Sequence, residues 1–288
     1  MSEQEESVKE ENTTHHGLYI HIPFCRSKCP YCDFYSIASF SLIPRWFEAL
    51  KMEMKFYTDK FVCFDTVYLG GGTPSLLDVS LIGEVLASIN NNFKILEKAE
   101  ITIEVNPGDL TIEKIRELKP LGINRINLGV QSFSDDDLLF LGRRHRVKDS
   151  RQALNALREA GFENIGIDLI YGLKDQSPGE WLKTLKRAVS FNPEHISCYQ
   201  LTFEGKTVFN AMKARGELKE LSEDTASRFF IETSAFLEQQ GFLHYEVSNF
   251  AKRPELRSRH NMKYWKRVPY LGLGPSAHSF DGEKRWWN

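Results

Sequence analysis

The chain has 288 residues, 41% of them hydrophobic and 26% charged, an ordinary composition for a soluble globular protein. That length suits one large α/β domain or two small ones. A formal net charge of −2 argues against nucleic acid as an obligate partner, and no apolar run reaches the length of a membrane span.

The chain opens on an acidic stretch. Residues 1–16 carry five glutamates, one lysine and no aromatic residue, and are expected to form a disordered tail. They lack the basic and apolar regions of a secretory signal and are too acidic for an organelle transit peptide, so the expected location is cytoplasmic. Five cysteines, three of them clustered, suggest a reducing compartment rather than a disulfide scaffold. Cys63 and Cys198 read as plain buried thiols.

After the tail, strand-like runs alternate with helical patterns. The strands read as 17–22, 66–69, 101–105, 125–130, 165–170 and 195–201. The helices read as 43–58, 78–92, 111–119, 149–160, 178–190 and 222–240, with Asp149 capping one start and Gly161 and Gly241 just past two ends. Strand–helix alternation with this spacing means right-handed βαβ units on a parallel sheet. Six units fall short of the eight that close a TIM barrel, so the expected fold is α/β, an incomplete (β/α)6 TIM-like barrel. A flat doubly wound sheet is the alternative, but no reversal of strand order can be read.

The strands alternate. Leu18, Ile20 and Ile22 are separated by Tyr19 and His21, and Ile101, Ile103 and Val105 by Thr102 and Glu104. Asn127, Gly129 and Gln131 punctuate the fourth strand, and Gly166 and Asp168 the fifth. Successive side chains point to opposite faces. One face should therefore meet the helices, and the polar one should line the lumen. Burying so many polar groups without partners costs a few kcal/mol each, so the lumen is expected to hold water or a polar ligand.

Directly after the first strand come Cys25, Cys29 and Cys32, in a CxxxCxxC spacing. Three thiolates on one loop suit a metal centre better than a disulfide. Sulfur ligands select zinc, copper(I) or an iron–sulfur cluster. A structural zinc wants a fourth protein ligand, and none lies at finger-like spacing. A [4Fe–4S] cube held by three cysteines keeps one iron open. Further on, Gly70, Gly71, Gly72, Thr73 and Pro74 follow the second strand, where glycines let backbone amides approach a carboxylate or phosphate. Glu104, Gln131 and Asp168 stand at strand ends on the polar face, the end where barrel sites are built, with Arg143 after a short loop. The helices at 43–58 and 222–240 carry core-packing patterns only. From His244 to Phe280 the chain becomes rich in histidine and aromatic residues, and reads as a coil packed across the open side of the barrel.

The stretch IHIPFCRSKCPYC resembles the radical S-adenosylmethionine (SAM) cluster motif. Its flanks, and much of the chain from Gly17 to Phe280, resemble the oxygen-independent coproporphyrinogen III oxidases and their HemW-type heme-chaperone relatives. The resemblance implies a [4Fe–4S] cluster on Cys25, Cys29 and Cys32 whose open iron chelates SAM. GGGTP resembles the element that contacts the methionine part of SAM, here Gly71, Gly72 and Thr73. Glu104, Gln131, Arg143 and Asp168 match polar SAM-contacting positions, and Tyr19 and Tyr31 match two more. HNMKYW, residues 260–265, resembles the HNxxYW signature of the heme chaperones, which implies His260 as an axial heme ligand beside Asn261, Tyr264 and Trp265.

Two departures bear on the branch. The oxidases carry a fourth cysteine two residues after the triad, where this chain has Phe34, and CDF with HNMKYW fits the chaperones. Thr202 stands where the oxidases have an alanine at a second SAM site, although Gln131, Arg143 and Asp168 match that site. The resemblance thus implies a heme chaperone holding a cluster, SAM and heme. It would serve an acceptor protein, draw on a reductant, and form a cluster-dependent dimer. No catalytic residue is assigned. The alternatives are an oxygen-independent coproporphyrinogen III oxidase and, more distantly, a radical SAM methyltransferase-like enzyme. Residues 242–288 read as the start of a C-terminal, chaperone-specific region. The end after Trp286 and Trp287, with no element visibly completed, reads as a truncation.

Overall fold

The computed structural model describes residues 15–288. The expected acidic tail lies outside the described residues as far as position 14, and His16 already belongs to the first strand. Six parallel strands follow one another in space as in sequence: β1 (His16–Ile22), β2 (Cys63–Gly71), β3 (Lys94–Val105), β4 (Arg125–Gln131), β5 (Ile165–Tyr171) and β6 (His195–Gln200). Between them run α1 (Ile43–Lys55), α2 (Val79–Asn92), α3 (Ile112–Leu118), α4 (Asp135–Phe140), α5 (Val147–Glu159) and α6 (Pro178–Ser190). After β6 come α7 (Val208–Ala214) and α8 (Glu223–Gln239). The sheet does not close on itself, so this is an open, partial TIM-like barrel of the expected kind. Among the described residues no helix is long and apolar enough to cross a membrane.

The alternation in sequence becomes the two faces of the sheet. Leu18, Ile20, Ile103, Ile126, Leu128, Ile165 and Ile167 are buried together in one core with the inner faces of the helices, among them Leu50, Val85, Leu157 and Leu185. The capping chemistry is local. Ser177 and Glu180 bond each other's backbone amides at the start of α6. The cap expected at Asp149 is displaced: α5 begins two residues earlier, and Asp149 instead accepts the amide of Arg146 from inside the first turn.

The last fifty residues are not a coil. β7 (Leu243–His244) and β8 (Asn249–Ala251) extend the sheet beyond β6. The chain then passes beneath the barrel through α9 (Arg259–Trp265) and adds β9 (Tyr270–Leu273) beside β1, followed by β10 (His278–Phe280) and β11 (Arg285–Trp287). Residues 242–288 therefore give five strands to the same sheet. Each has two to four residues, too short to show an alternation.

This crossing seals the lower lumen. Glu100 accepts the amides of Arg259 (3.1 Å) and His260 (3.0 Å) at the start of α9 and lies 4.0 Å from Arg125. Arg125 is 0% exposed and also donates to the carbonyl of Leu256 and to Asn164. His195 bonds Tyr245, which accepts the amide of Ser258. The polar inner face thus meets two fates: its lower half is closed over by this protein network, with Arg125 Nε and Nη2 and His195 Nδ1 left without a partner among the described residues, and its upper half opens on a chamber.

Removing one partner of a buried ion pair strands the other and costs about 3–5 kcal/mol. Glu100→Ala also strips two amide acceptors from α9, so it is expected to lower unfolding free energy by at least that much in denaturant titration.

Candidate cluster and cofactor site

The loop after β1 is tied before it reaches its cysteines. The amide of Ile37 donates to Pro23 (2.7 Å) and that of Cys25 to Ile37 (3.0 Å), while Phe24 is buried against Trp46. The glycine run at the end of β2 then straps this loop down. Gly72 donates to the carbonyl of Ile22 (2.8 Å) and Thr73 to that of Phe24 (2.9 Å). A Cβ at Gly72 would stand 2.8 Å from both the Phe24 carbonyl oxygen and the Pro23 carbonyl carbon, so only glycine permits this approach. Gly71, at φ 112°, donates to Glu104. The amides of Gly71, Gly72 and Thr73 are thus all taken by the protein. The expectation that they face a ligand's carboxylate or phosphate is corrected: the run holds the cysteine loop.

Cys25, Cys29 and Cys32 are free thiols lining one small cavity of about 60 Å³ with Thr73 and Arg143. The Cys25 sulfur lies 3.2 Å from the Thr73 hydroxyl, and that of Cys29 lies 3.8 Å from the Arg143 guanidinium. Burial, followed by the nearness of Cys29 and Cys25, pushes the Cys32 thiol up, a repulsion that a bound metal centre relieves. Among the described residues no three His, Cys, Asp or Glu side chains converge on a single ion. A cluster, in which each iron takes its own thiolate, fits this donor set better than one zinc.

Beside the cysteines the upper lumen opens into a cavity of about 770 Å³, within the range of small-molecule sites. Eight of the nine positions matched to SAM contacts line it: Tyr31, Gly71, Gly72, Thr73, Glu104, Gln131, Arg143 and Asp168. Cys32 joins them, so chamber and cysteine loop share a wall. Arg143 donates to the carbonyl of Gly129 (3.0 Å) and to Tyr31 (3.4 Å). Its Nε, Asp168 Oδ1 and Asn127 Oδ1 are buried with no partner among the described residues, as suits a wall that takes a polar ligand. Burial pushes Glu104 up to about 7, against its bond from Tyr68, and Asp168 up to about 6. Both carboxyls gain from a cationic or hydroxyl-rich neighbour. Gln131 sits at φ 67°, at an irregularity in the β4–β5 pairing, which re-aims its side chain at the strand end.

Tyr19 is a correction. It lies below the chamber wall, bonded to His21 (3.1 Å) and stacked on Tyr68. Phe34, in place of the oxidases' fourth cysteine, is 69% exposed at the chamber's lip. The histidine signature is a second correction. His260 is 1% exposed; its Nδ1 bonds Thr66 (2.9 Å) and its Nε2 bonds Tyr264 (2.8 Å). Both ring nitrogens are committed, so His260 offers no lone pair to a heme iron. It belongs to the lumen floor, on the side opposite the cysteines. Of its neighbours in the motif, Asn261 is half-buried, while Tyr264 and Trp265 reach the surface at 39% and 55% exposure.

Sequence reasoning passed over Tyr68, Asn106, Tyr199 and Glu204, which also line the chamber. Tyr68 carried a signal, since it occupies the polar register of β2. It also missed the clamp on the cluster loop: Phe209 of α7 donates its amide to Pro30 and packs between Tyr31 and Phe140 of α4. Helices of six and seven residues leave too few turns for a periodicity.

Overpacking at a backbone contact costs about 1–3 kcal/mol, so Gly72→Ala should cut cluster loading about tenfold or more, read as iron and sulfide per chain after anaerobic reconstitution. Burial, with Lys263 adding, lowers His260 to about 3. Between there and its unfolded value near 6.5 the unfolded chain binds the extra proton, so this contribution is complete above pH 6.5 and fades on acidification. The stability gap between wild type and His260→Asn should therefore narrow from pH 7 to pH 4 in parallel denaturant titrations.

Residues 19–188 match the Radical SAM superfamily. The heme chaperone HemW of Synechocystis sp. is 40% identical over 277 residues, spanning 94% of this chain and 67% of that protein. HemW of Bacillus subtilis is 39% identical over 281 residues, spanning 94% and 73%. Among solved structures, coproporphyrinogen III oxidase (HemN) from Escherichia coli superposes with a TM-score of 0.80 at 28% identity, covering all of this chain and 70% of that one. A three-cysteine loop strapped by glycines over the polar mouth of an open barrel, in a chain this similar to those relatives, is that of a member of the radical SAM superfamily and, within it, of the HemW heme-chaperone family.

Proposed function

We propose that this chain carries heme to an acceptor protein, using a [4Fe–4S] cluster on Cys25, Cys29 and Cys32 and SAM in the adjoining chamber. The observation that carries this reading is the shared wall: Cys32, Gly72, Thr73 and Arg143 line both the cysteine cavity and the chamber that holds the carboxylates. Such a cluster supplies an electron able to cleave the SAM sulfonium. The chain's own residues hold the ligand. Glu104 and Asp168 accept from its ammonium and hydroxyl groups. Arg143 faces its carboxylate, and Gln131 and Tyr31 close the wall. The reductant and the heme acceptor are separate proteins, and we place the reaction in the cytoplasm.

For heme, we propose the exposed rings of Trp265 and Tyr264 as an aromatic rest, with His260 structural. Burial of one large side chain contributes about 1.5–3 kcal/mol. Trp265→Ala should therefore weaken hemin binding about tenfold in an anaerobic titration followed at the Soret band. His260→Ala should leave the band's position unchanged. A shifted band would restore the histidine as a ligand. Conversion of coproporphyrinogen III to its vinyl product by the reduced, SAM-loaded protein would replace the carrier reading with the oxidase.

A further inference from the structure

One side chain touches both regions that the proposed function keeps apart. Tyr68 lines the chamber, and its hydroxyl donates to Glu104 Oε1 (2.8 Å) while accepting from Asn127 (3.2 Å). The other side of its ring lies against His260, with centroids 5.1 Å apart and planes 32° from parallel. His260 in turn bonds Tyr264, whose ring meets Tyr270 edge-on at 4.6 Å. Three consecutive contacts thus run from the chamber wall to the exposed face of α9.

We infer that Tyr68 is a positioning residue that couples occupancy of the chamber to the conformation of α9, and so to the surface carrying Tyr264 and Trp265. This inference rests on the reading of the chamber as a SAM site. Both Glu104 oxygens are engaged, Oε1 by Tyr68 and Oε2 by Gly71. A cationic group arriving at this carboxyl favours its charged form, and a charge-assisted bond is shorter and stronger than a neutral one. Tyr68 is then drawn toward the chamber and away from the imidazole. There is no slack to absorb the movement. A Cβ at Gly70 would stand 2.8 Å from Tyr68, 3.0 Å from Tyr19 and 3.1 Å from Glu104. Close-packed interiors transmit such displacements. His260 is held at both nitrogens, so a change at its face reaches Tyr264 directly. Coupling of this kind is reciprocal, and heme at α9 would alter SAM affinity by the same factor.

The test is hydrogen–deuterium exchange across Arg259–Trp265 in the full, anaerobically reconstituted protein, with the cluster oxidised so that SAM is not consumed. SAM binding is measured in parallel by equilibrium dialysis, and each variant is compared at its own saturation. Wild type should change its α9 exchange rates about fivefold or more on binding SAM. Tyr68→Phe keeps the ring and loses only the hydroxyl, and should abolish that response. Thr66→Val, which releases the far side of the imidazole, should weaken it and provides a second variant. SAM bound with no change at α9, or a Tyr68→Phe response equal to wild type, would overturn the coupling while leaving the SAM site standing. Failure of dialysis to detect SAM would remove both.

Discussion

The contact between Gly72 and the backbone of Pro23 and Phe24 governs the site. Through it the end of β2 reaches the loop leaving β1 closely enough to bond Ile22 and Phe24. Everything chemical follows from that closeness. The three thiols share one cavity, Cys25 comes to Thr73, and Cys32 enters the wall of the chamber. Any Cβ at this position would part the two elements and separate the cysteines from the carboxylates. The glycines serve a backbone-to-backbone approach here, not an amide nest for an anion.

A polar lumen is costly to build, and the fold meets that cost in two ways. Below, the chain crosses under the strands and closes a network of Glu100, Arg125, His195, Tyr245 and the first amides of α9. Above, Asp168, Asn127 and Arg143 line the open chamber and keep polar atoms without a partner among the described residues. The boundary between these halves passes through Tyr68, which bonds upward to Glu104 and lies tilted against His260 below.

Rigid support surrounds the mobile chemistry. The cysteine loop is gripped on one side by the strap at the end of β2 and on the other by Phe209, which packs between Tyr31 and Phe140 in a small separate core. Ligand groups are thereby placed by elements that pack away from solvent, an arrangement that keeps geometry when substrates come and go.

The amino-acid sequence by itself determined the alternation of six strands with helices, the two unlike faces of those strands, and the cysteine loop, because periodicity and spacing are local properties. Glu104 and Asp168 were legible for the same reason: register alone puts them at strand ends on the polar face, whereas Gln131 is placed there by the irregularity in the β4–β5 pairing. Only the tertiary structure decided what long-range contacts impose. It drew five short strands of the last fifty residues into the sheet, since two- to four-residue strands exist only through the partners they pair with. It set Tyr19 below the chamber wall, and it buried His260 between Thr66 and Tyr264. A histidine's chemistry depends on which atoms meet its two nitrogens, and one of those atoms belongs to Thr66, nearly two hundred positions away.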